Sequence, residues 1–265
     1  AAARKVMQSI EPGSITHLIT VSCTGLYAPG LDIELVTELK LNPGVSRTAI
    51  NFMGCYAAVN ALKVAEAFCR QDAAVNVLIV CTELCTLHFQ KEYNDDNILS
   101  NALFGDGSAA VVVTNQPKGR ALEIESFYAT LEPDGKSEMA WDVGNTGFEM
   151  KLSSQVPDHL GAGIHKMLAE LNDNFDLQNI AYFAFHPGGK RILQVMEAAL
   201  GITKEENRFS HDVLKSYGNM SSPTLLFVLH KIMQEIRAEE TGRQVLAMAF
   251  GPGLTLESML LRIKS

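Results

Sequence analysis

The sequence has no cluster of basic residues, no CxxC pair and a single tryptophan in 265 residues. Nor has it an apolar run near the ~18 residues that a membrane-spanning helix needs. Each absence excludes something. Lys and Arg total 22 against 30 Asp and Glu, a net charge of -8, so a general nucleic-acid binder is excluded. Five cysteines (Cys23, Cys55, Cys69, Cys81 and Cys85) are an odd number. Cys81 and Cys85 have no histidine pair nearby, so neither a disulfide framework nor a zinc site is expected, and no metal ligand is assigned. A reducing, cytoplasmic compartment follows. Gly105-Asp106-Gly107 lacks the spacing of a dinucleotide or P-loop fingerprint and receives no phosphate role. The first residues, Ala-Ala-Ala-Arg-Lys-Val-Met, show neither an initiating methionine nor a signal-peptide layout, and read as the middle of a helix.

What is present is a packed globular chain, 47% hydrophobic and 20% charged. Asn76–Glu83 is a near-continuous apolar run, which suits a strand buried on both faces; His17–Cys23 reads as a buried strand and Gln244–Phe250 as an apolar one. Between such runs lie segments at helical spacing: 32–39, 57–68, 160–171, 191–200 and 224–237. Leu122–Tyr128 and 256–262 read as further strands. Residues 91–97 and 131–147 read as loops, the second with Pro133-Asp134-Gly135 and Trp141. Alternating strands and helices imply an α/β fold. Asn115–Gly119 is the natural boundary, giving halves of 1–117 and 118–265. Each half holds a strand, a sharp turn with a reactive side-chain type, a helix, and later a glycine turn between apolar strands.

The chain is organised around Gly54-Cys55-Tyr56-Ala57-Ala58. An apolar, β-leaning stretch precedes it, and Ala57, Ala58, Ala61, Leu62, Ala65 and Phe68 follow at helical spacing. A cysteine at a helix start meets unpaired N–H groups and the positive dipole end, which favour the thiolate. Such a thiolate is suited to forming a thioester; a buried structural cysteine is the other reading. His186, before Pro187-Gly188-Gly189, and Asn219, in Tyr217-Gly218-Asn219-Met220-Ser221-Ser222, also sit in turns at element ends. Taken singly, His186 reads equally as a surface histidine and Asn219 as a helix N-cap. Together the three supply a nucleophile, an acid–base or charge partner, and an amide donor for an enolate or oxyanion. Phe104 reads from spacing as ordinary core. His17, His159, His165, His211 and His230 have no comparable context.

These stretches resemble the type III polyketide synthase family, the chalcone synthase-like branch of the thiolase superfamily. The resemblance rests on Met-Gly-Cys-Tyr-Ala-Ala around Cys55, Leu-Phe-Gly-Asp-Gly-Ser-Ala-Ala around Phe104, and His-Pro-Gly-Gly at His186. Tyr-Gly-Asn-Met-Ser-Ser at Asn219 and Phe250-Gly-Pro-Gly-Leu-Thr complete it, with Ala249 in place of a first glycine. It implies a duplicated αβαβα thiolase-like fold and a homodimer. It implies CoA thioesters as partners, acyl-CoA and malonyl-CoA as substrates, and no permanently bound cofactor. Cys55 would carry the starter acyl group, with His186 as its imidazolium partner. His186 and Asn219 would hold the malonyl thioester carbonyl during decarboxylation.

Phe104 and Met150 would be the two gatekeepers between tunnel and cavity, Met150 standing where plant members carry Phe. Cys23, Thr24, Cys85 and His88 fall on cavity-lining positions, and Gly251, Pro252 and Gly253 on the cavity floor. Cys85 and His88 replace threonines of chalcone-forming members. The product implied is of alkylpyrone or alkylresorcinol type, not chalcone. Family members begin roughly a hundred residues earlier, so a fragment without the first part of the N-terminal core is expected. Lys190 and Arg191 would remain to touch the CoA arm. The alternatives are an initiating β-ketoacyl-carrier-protein synthase, told apart by carrier-protein dependence, and a non-catalytic thiolase-fold subunit, told apart by absence of Cys55 acylation.

Overall fold

The computed structural model describes residues 1–136, 138–144, 147–153, 156–171 and 177–264. The chain runs α1 (Ala2–Val6), β1 (His17–Ser22), α2 (Leu31–Glu38), β2 (Ser46–Asn51), α3 (Ala57–Gln71), β3 (Asn76–Glu83), α4 (Asp95–Leu103) and β4 (Gly107–Thr114). It continues through β5 (Ala121–Leu131), β6 (Met139–Gly144), β7 (Gly147–Leu152), α5 (Val156–Leu171), β8 (Ile180–Phe185), α6 (Lys190–Leu200), α7 (Arg208–Tyr217), α8 (Thr224–Glu235), β9 (Gln244–Gly251) and β10 (Thr255–Lys264).

Strands β2-β1-β3-β4 form one sheet, in which β1 runs parallel to β2 and β3, and β4 is antiparallel to β3. Strands β5-β10-β9-β8 form the second, with β8 and β9 parallel and the other pairs antiparallel. The apolar runs make both sheets two-faced. Successive side chains point to opposite sides of a strand. Thus Ile19, Val21, Val77 and Ile79 enter one core while Leu18, Leu78 and Val80 enter another. In the second sheet, Val245, Ala247 and Ala249 face the same central core as Ile19, and Leu246, Met248 and Phe250 face a third. Helices α3 and α8 fill the central layer between the sheets, α1 and α2 cover the outer face of the first, and α5 and α6 that of the second. The order is therefore α, β, α, β, α.

Two stretches differ from the sequence reading. Residues 95–97, expected in a loop, are the first turn of α4. The Asn94 side chain accepts from Asn97 N at 2.9 Å, and Asp95 and Asp96 sit at the positive end of the helix. Residues 131–147 are not one loop. β6 pairs with β7 as an antiparallel hairpin, with Trp141 opposite Met150. Helix α7 is an added element. It packs Phe209 and Val213 into the central core.

Candidate active site

The site is built on the elbow between β2 and α3. Gly54 has φ +75°, and a Cβ there would stand 2.3 Å from Pro252 Cδ, so both conformation and space require glycine. Cys55 follows in a short 3-10 turn and is buried. Gly54 N donates to Cys23 Sγ at 3.1 Å, which ties the elbow to the segment after β1. From the other half, Gly251 presses on the same turn: a Cβ on it would lie 3.1 Å from Cys55 N and 2.9 Å from Tyr56 Cδ1.

Asn219 is positioned by backbone bonds. Its N donates to Leu103 O and its O accepts from Gly105 N, each at 2.9 Å, so the turn is locked onto the end of α4 at Phe104. Gly218 (φ +70°) permits this approach, since a Cβ there would stand 2.7 Å from Leu103 O. Asn219 Oδ1 accepts from Ser221 N at 2.8 Å, which orients the amide. The Cys55 thiol faces both residues: Sγ lies 3.6 Å from Ser221 Oγ, and 3.9 and 4.0 Å from Asn219 Oδ1 and Nδ2.

His186 extends the pairing of β8 with β9, its N donating to Met248 O at 2.8 Å. Its ring is fully buried and packs edge-on against Phe250, centroids 5.4 Å apart. Neither ring nitrogen has a hydrogen-bond partner among the described residues. Gly188 passes so near Phe250 that a Cβ would come within 2.6 Å of the ring. The glycine after His-Pro therefore fixes the histidine's path.

The electrostatics differ from the sequence expectation. A helix-start cysteine was expected to be a thiolate beside an imidazolium. Instead burial pushes the Cys55 thiol up to about 11, against the smaller lowering effect of Ser221, with the Glu83 charge also raising it. Burial pushes His186 down to about 3. Desolvation outweighs the helix end, so burial favours the neutral thiol and the neutral imidazole.

Glu83, fully buried at the end of β3, was not singled out in the sequence. It accepts from Cys23 N (2.9 Å), Thr24 Oγ1 (2.8 Å) and Ser222 Oγ (2.5 Å). Burial raises its pKa, against these bonds. One carboxylate thus ties three backbone segments beneath the thiol.

A cavity of about 1040 Å³, including the solvent space at its mouth, opens over these residues. Cys55, His186 and Asn219 line it, as do Phe104, Met150, Cys23, Thr24, Cys85, His88 and Pro252. Gly251 and Gly253 do not: Gly251 packs on the Cys55 elbow, and Gly253 turns the chain (φ +76°). Lys190 and Arg191 open α6 at the surface, outside the cavity lining. The β6–β7 hairpin supplies the wall that the sequence reading lacked. Met139 and Trp141 on β6, with Phe148, Met150 and Leu152 on β7, line the cavity, as period-two alternation requires. Trp141 Nε1 donates to Cys23 O at 3.0 Å, His88 Nε2 donates to Thr24 O at 2.6 Å, and the rings of His88, Trp141 and Phe148 form one cluster.

A buried thiol, imidazole and amide on a mostly apolar cavity suit acyl transfer through a thioester. The described residues contain no group of three side chains placed to hold a metal, and no helix long and apolar enough to cross a membrane. Residues 1–117 match the model of the chalcone and stilbene synthase N-terminal domain, and residues 123–264 that of the C-terminal domain. The chain belongs to the chalcone and stilbene synthase family.

Within this family it is similar to the alpha-pyrone synthesis polyketide synthase-like Pks18 of Mycobacterium tuberculosis, 35% identical over 255 residues. That match covers 93% of this chain and 64% of the relative's own length. Among solved structures, 1,3,6,8-tetrahydroxynaphthalene synthase from Streptomyces coelicolor, a bacterial type III polyketide synthase, superposes with TM-score 0.93 at 30% identity. The superposition covers 99% of this chain and 76% of that one. PKS-I from the brown alga Ectocarpus siliculosus gives TM-score 0.92 at 31% identity, over 98% of this chain and 72% of that one. The fold is the thiolase-like fold of type III polyketide synthases.

Proposed function

We propose that the protein is a type III polyketide synthase that extends an acyl-CoA starter with malonyl-CoA and cyclises the product. The observation that carries this is the meeting of Cys55, His186 and Asn219 on one buried cavity, with Ser221 and Asn219 around the sulfur. Cys55 attacks the starter thioester. Its proton passes to His186, whose free ring nitrogens can take it, and CoA leaves as the thiol after reprotonation. Burial penalises each charge alone; moving one proton creates both together, so that each stabilises the other.

Malonyl-CoA then loses carbon dioxide. His186 and Asn219 donate to the enolate oxygen that forms, the enolate carbon attacks the Cys55 thioester, and the Cys55 thiolate leaves. The β-ketoacyl-CoA can return to Cys55 for another round. Attack of an enol oxygen on the terminal thioester carbonyl, with CoA as leaving group, closes a pyrone.

An alkylpyrone-type product is favoured by the likeness to a relative named for alpha-pyrone synthesis and by the apolar hairpin wall. Phe104 and Met150 gate the passage. Cys23, Thr24, Cys85, His88 and Pro252 shape the chamber, and Gly251 and Gly253 support its floor from behind. Lys190 and Arg191, at the exposed start of α6, meet the CoA phosphates from outside the cavity. Exposed Leu26, Tyr27, Phe52 and Met53 near the elbow support a homodimer, and five free cysteines support a reducing, cytoplasmic setting.

The test is intact mass after incubation with a panel of acyl-CoAs, then malonyl-CoA, beside Cys55→Ala. The expected result is an adduct that maps to Cys55, is lost in the variant, and chases into a released polyketide. A folded protein that no CoA thioester acylates would overturn the reading.

A further inference from the structure

We propose that Ser100 is a substrate-binding residue. Its hydroxyl takes up a keto or enol oxygen of the β-ketoacyl chain growing from Cys55, and so biases how far the chain extends before it cyclises. This rests on the function proposed above and names a contact within that site.

Three observations lead here. The first is placement. Asn97, Ser100, Asn101 and Phe104 all line the cavity, and their spacing puts them on one face of α4 and its cap. The second is an unmet hydrogen bond. On that face, Asn97 Nδ2 donates to Glu92 O at 3.0 Å, and Asn101 Nδ2 donates to Gln90 O at 2.8 Å. Ser100 Oγ, by contrast, is buried and has no partner among the described residues. It does not make the bond to the carbonyl one turn back that helical serines commonly make. Four buried side-chain polar atoms lack a partner among the described residues; three belong to cavity-lining residues, the two His186 nitrogens and Ser100 Oγ. Buried polar groups are otherwise paired, so an unpaired one on a cavity wall is a group kept for a ligand.

The third observation is registration. Ser100 O accepts from Phe104 N at 3.0 Å, and the residues on either side of Phe104 are bonded to Asn219, Leu103 O accepting from its N and Gly105 N donating to its O. The Ser100 backbone is therefore held at a fixed offset from that of Asn219, one helical turn before Phe104. Cys55, Phe104 and Ser100 line the same cavity, so a chain that grows from Cys55 past Phe104 comes within reach of Ser100. An alkyl starter has nothing to offer a hydroxyl. The β-keto oxygens do, and a hydroxyl can donate to the keto form or accept from the enol. A site built to hydrogen-bond a group discriminates against chains that lack it there. The contact thus forms only after extension.

Ser100→Ala, Ser100→Cys and Ser100→Thr are compared with the unmodified protein, using one acyl-CoA starter and malonyl-CoA. Cys55 acylation is read by intact mass, and the ratio of shorter to longer polyketide products by chromatography and mass spectrometry. The expected result for Ser100→Ala is a Cys55 adduct with a product ratio shifted about threefold to tenfold, and Ser100→Thr returns part of the way. Ser100→Cys, near in shape but a weak donor, shifts in the same sense and serves if the alanine variant does not fold. A ratio unchanged in both the alanine and cysteine variants overturns the proposal, as does a uniform drop in all products with a changed melting temperature. Failure of the unmodified protein to form a Cys55 adduct sinks the underlying function, and this proposal with it.

Discussion

At the scale of single residues, the site is a contest between burial and polarity, and burial prevails. A Cys55 thiol pushed up to about 11 is protonated at neutral pH. Its alkylation by iodoacetamide is therefore expected to rise steadily with pH, with no plateau near neutrality. Ser221 lowers that pKa by hydrogen bonding. Ser221→Ala removes this stabilisation of the thiolate, so alkylation at pH 8 should slow by about threefold. A rate that levels off below pH 7 would instead show a preformed thiolate–imidazolium pair.

His186 gives the second residue-scale prediction. Its pKa falls from 6.5 to about 3 in the folded state, with burial as the cause. Between those values the unfolded chain binds a proton that the folded chain refuses. Stability from this group is thus complete above about pH 6.5 and is lost as pH falls towards about 3. Urea midpoints at pH 7 and pH 5 should fall further in the parent than in His186→Gln, which has no titrating ring.

At the scale of elements, legibility followed the length and purity of the hydrophobic signal. The strands at 17–22, 76–83 and 244–251 were readable because burial on both faces keeps their middles largely apolar. The turns at Cys55, His186 and Asn219 were readable because glycine or proline marked them. The hairpin was not: β6, Met-Ala-Trp-Asp-Val-Gly, is short, half-exposed and bounded by a glycine, so its alternation resembles a loop. The start of α4 was hidden by the polarity of its own cap, although Asn94-Asp95-Asp96 is a helix-start signal. Glu83, Ser221 and Trp141 reach the site only through tertiary contact, which no spacing in the sequence records.

Two predictions belong to these elements. Glu83→Ala leaves Cys23 N and Ser222 Oγ without their acceptor in a buried place, and takes the acceptor from the Thr24 hydroxyl, whose oxygen still accepts from Leu84 N. It should cost about 3 kcal/mol in urea unfolding, and Glu83→Gln, which keeps an acceptor oxygen, about 1 kcal/mol. Trp141→Ala removes the ring beside His88 and Phe148 and deepens the chamber. The expected outcome is a shift of Cys55 acylation towards longer acyl-CoAs, read by competition between two chain lengths.

At the scale of the molecule, each sheet has an outer core of its own, but the two share the central one. Helix α3 comes from the first half, yet Ala58, Ala61 and Ala65 sit in one cluster with Tyr182, Val245 and Ala247 of the second. The close approaches between halves are made where side chains are absent. Gly54 meets Pro252, and Gly107 meets Met220, where a Cβ would stand 2.5 Å from Sδ. Lys63 on α3 pairs with the largely buried Glu257 on β10 across the same boundary. Burial raises the Glu257 pKa, against the lowering effect of Lys63, so removing the lysine leaves a carboxyl without its compensation. Halves joined in this way should unfold together. The protein is expected to show one urea transition, coincident by circular dichroism and by Trp141 fluorescence. Residues 1–117 made alone should show none, because the side of α3 that meets Tyr182, Val245 and Ala247 would be left uncovered. Gly54→Ala tests the seam directly. It adds a methyl group against Pro252 and strains a φ of +75°. Its midpoint should fall while the single transition persists. Two separated transitions, in the parent or in this variant, would mean that each sheet is held by its outer core alone and that the site lies between two independently stable bodies.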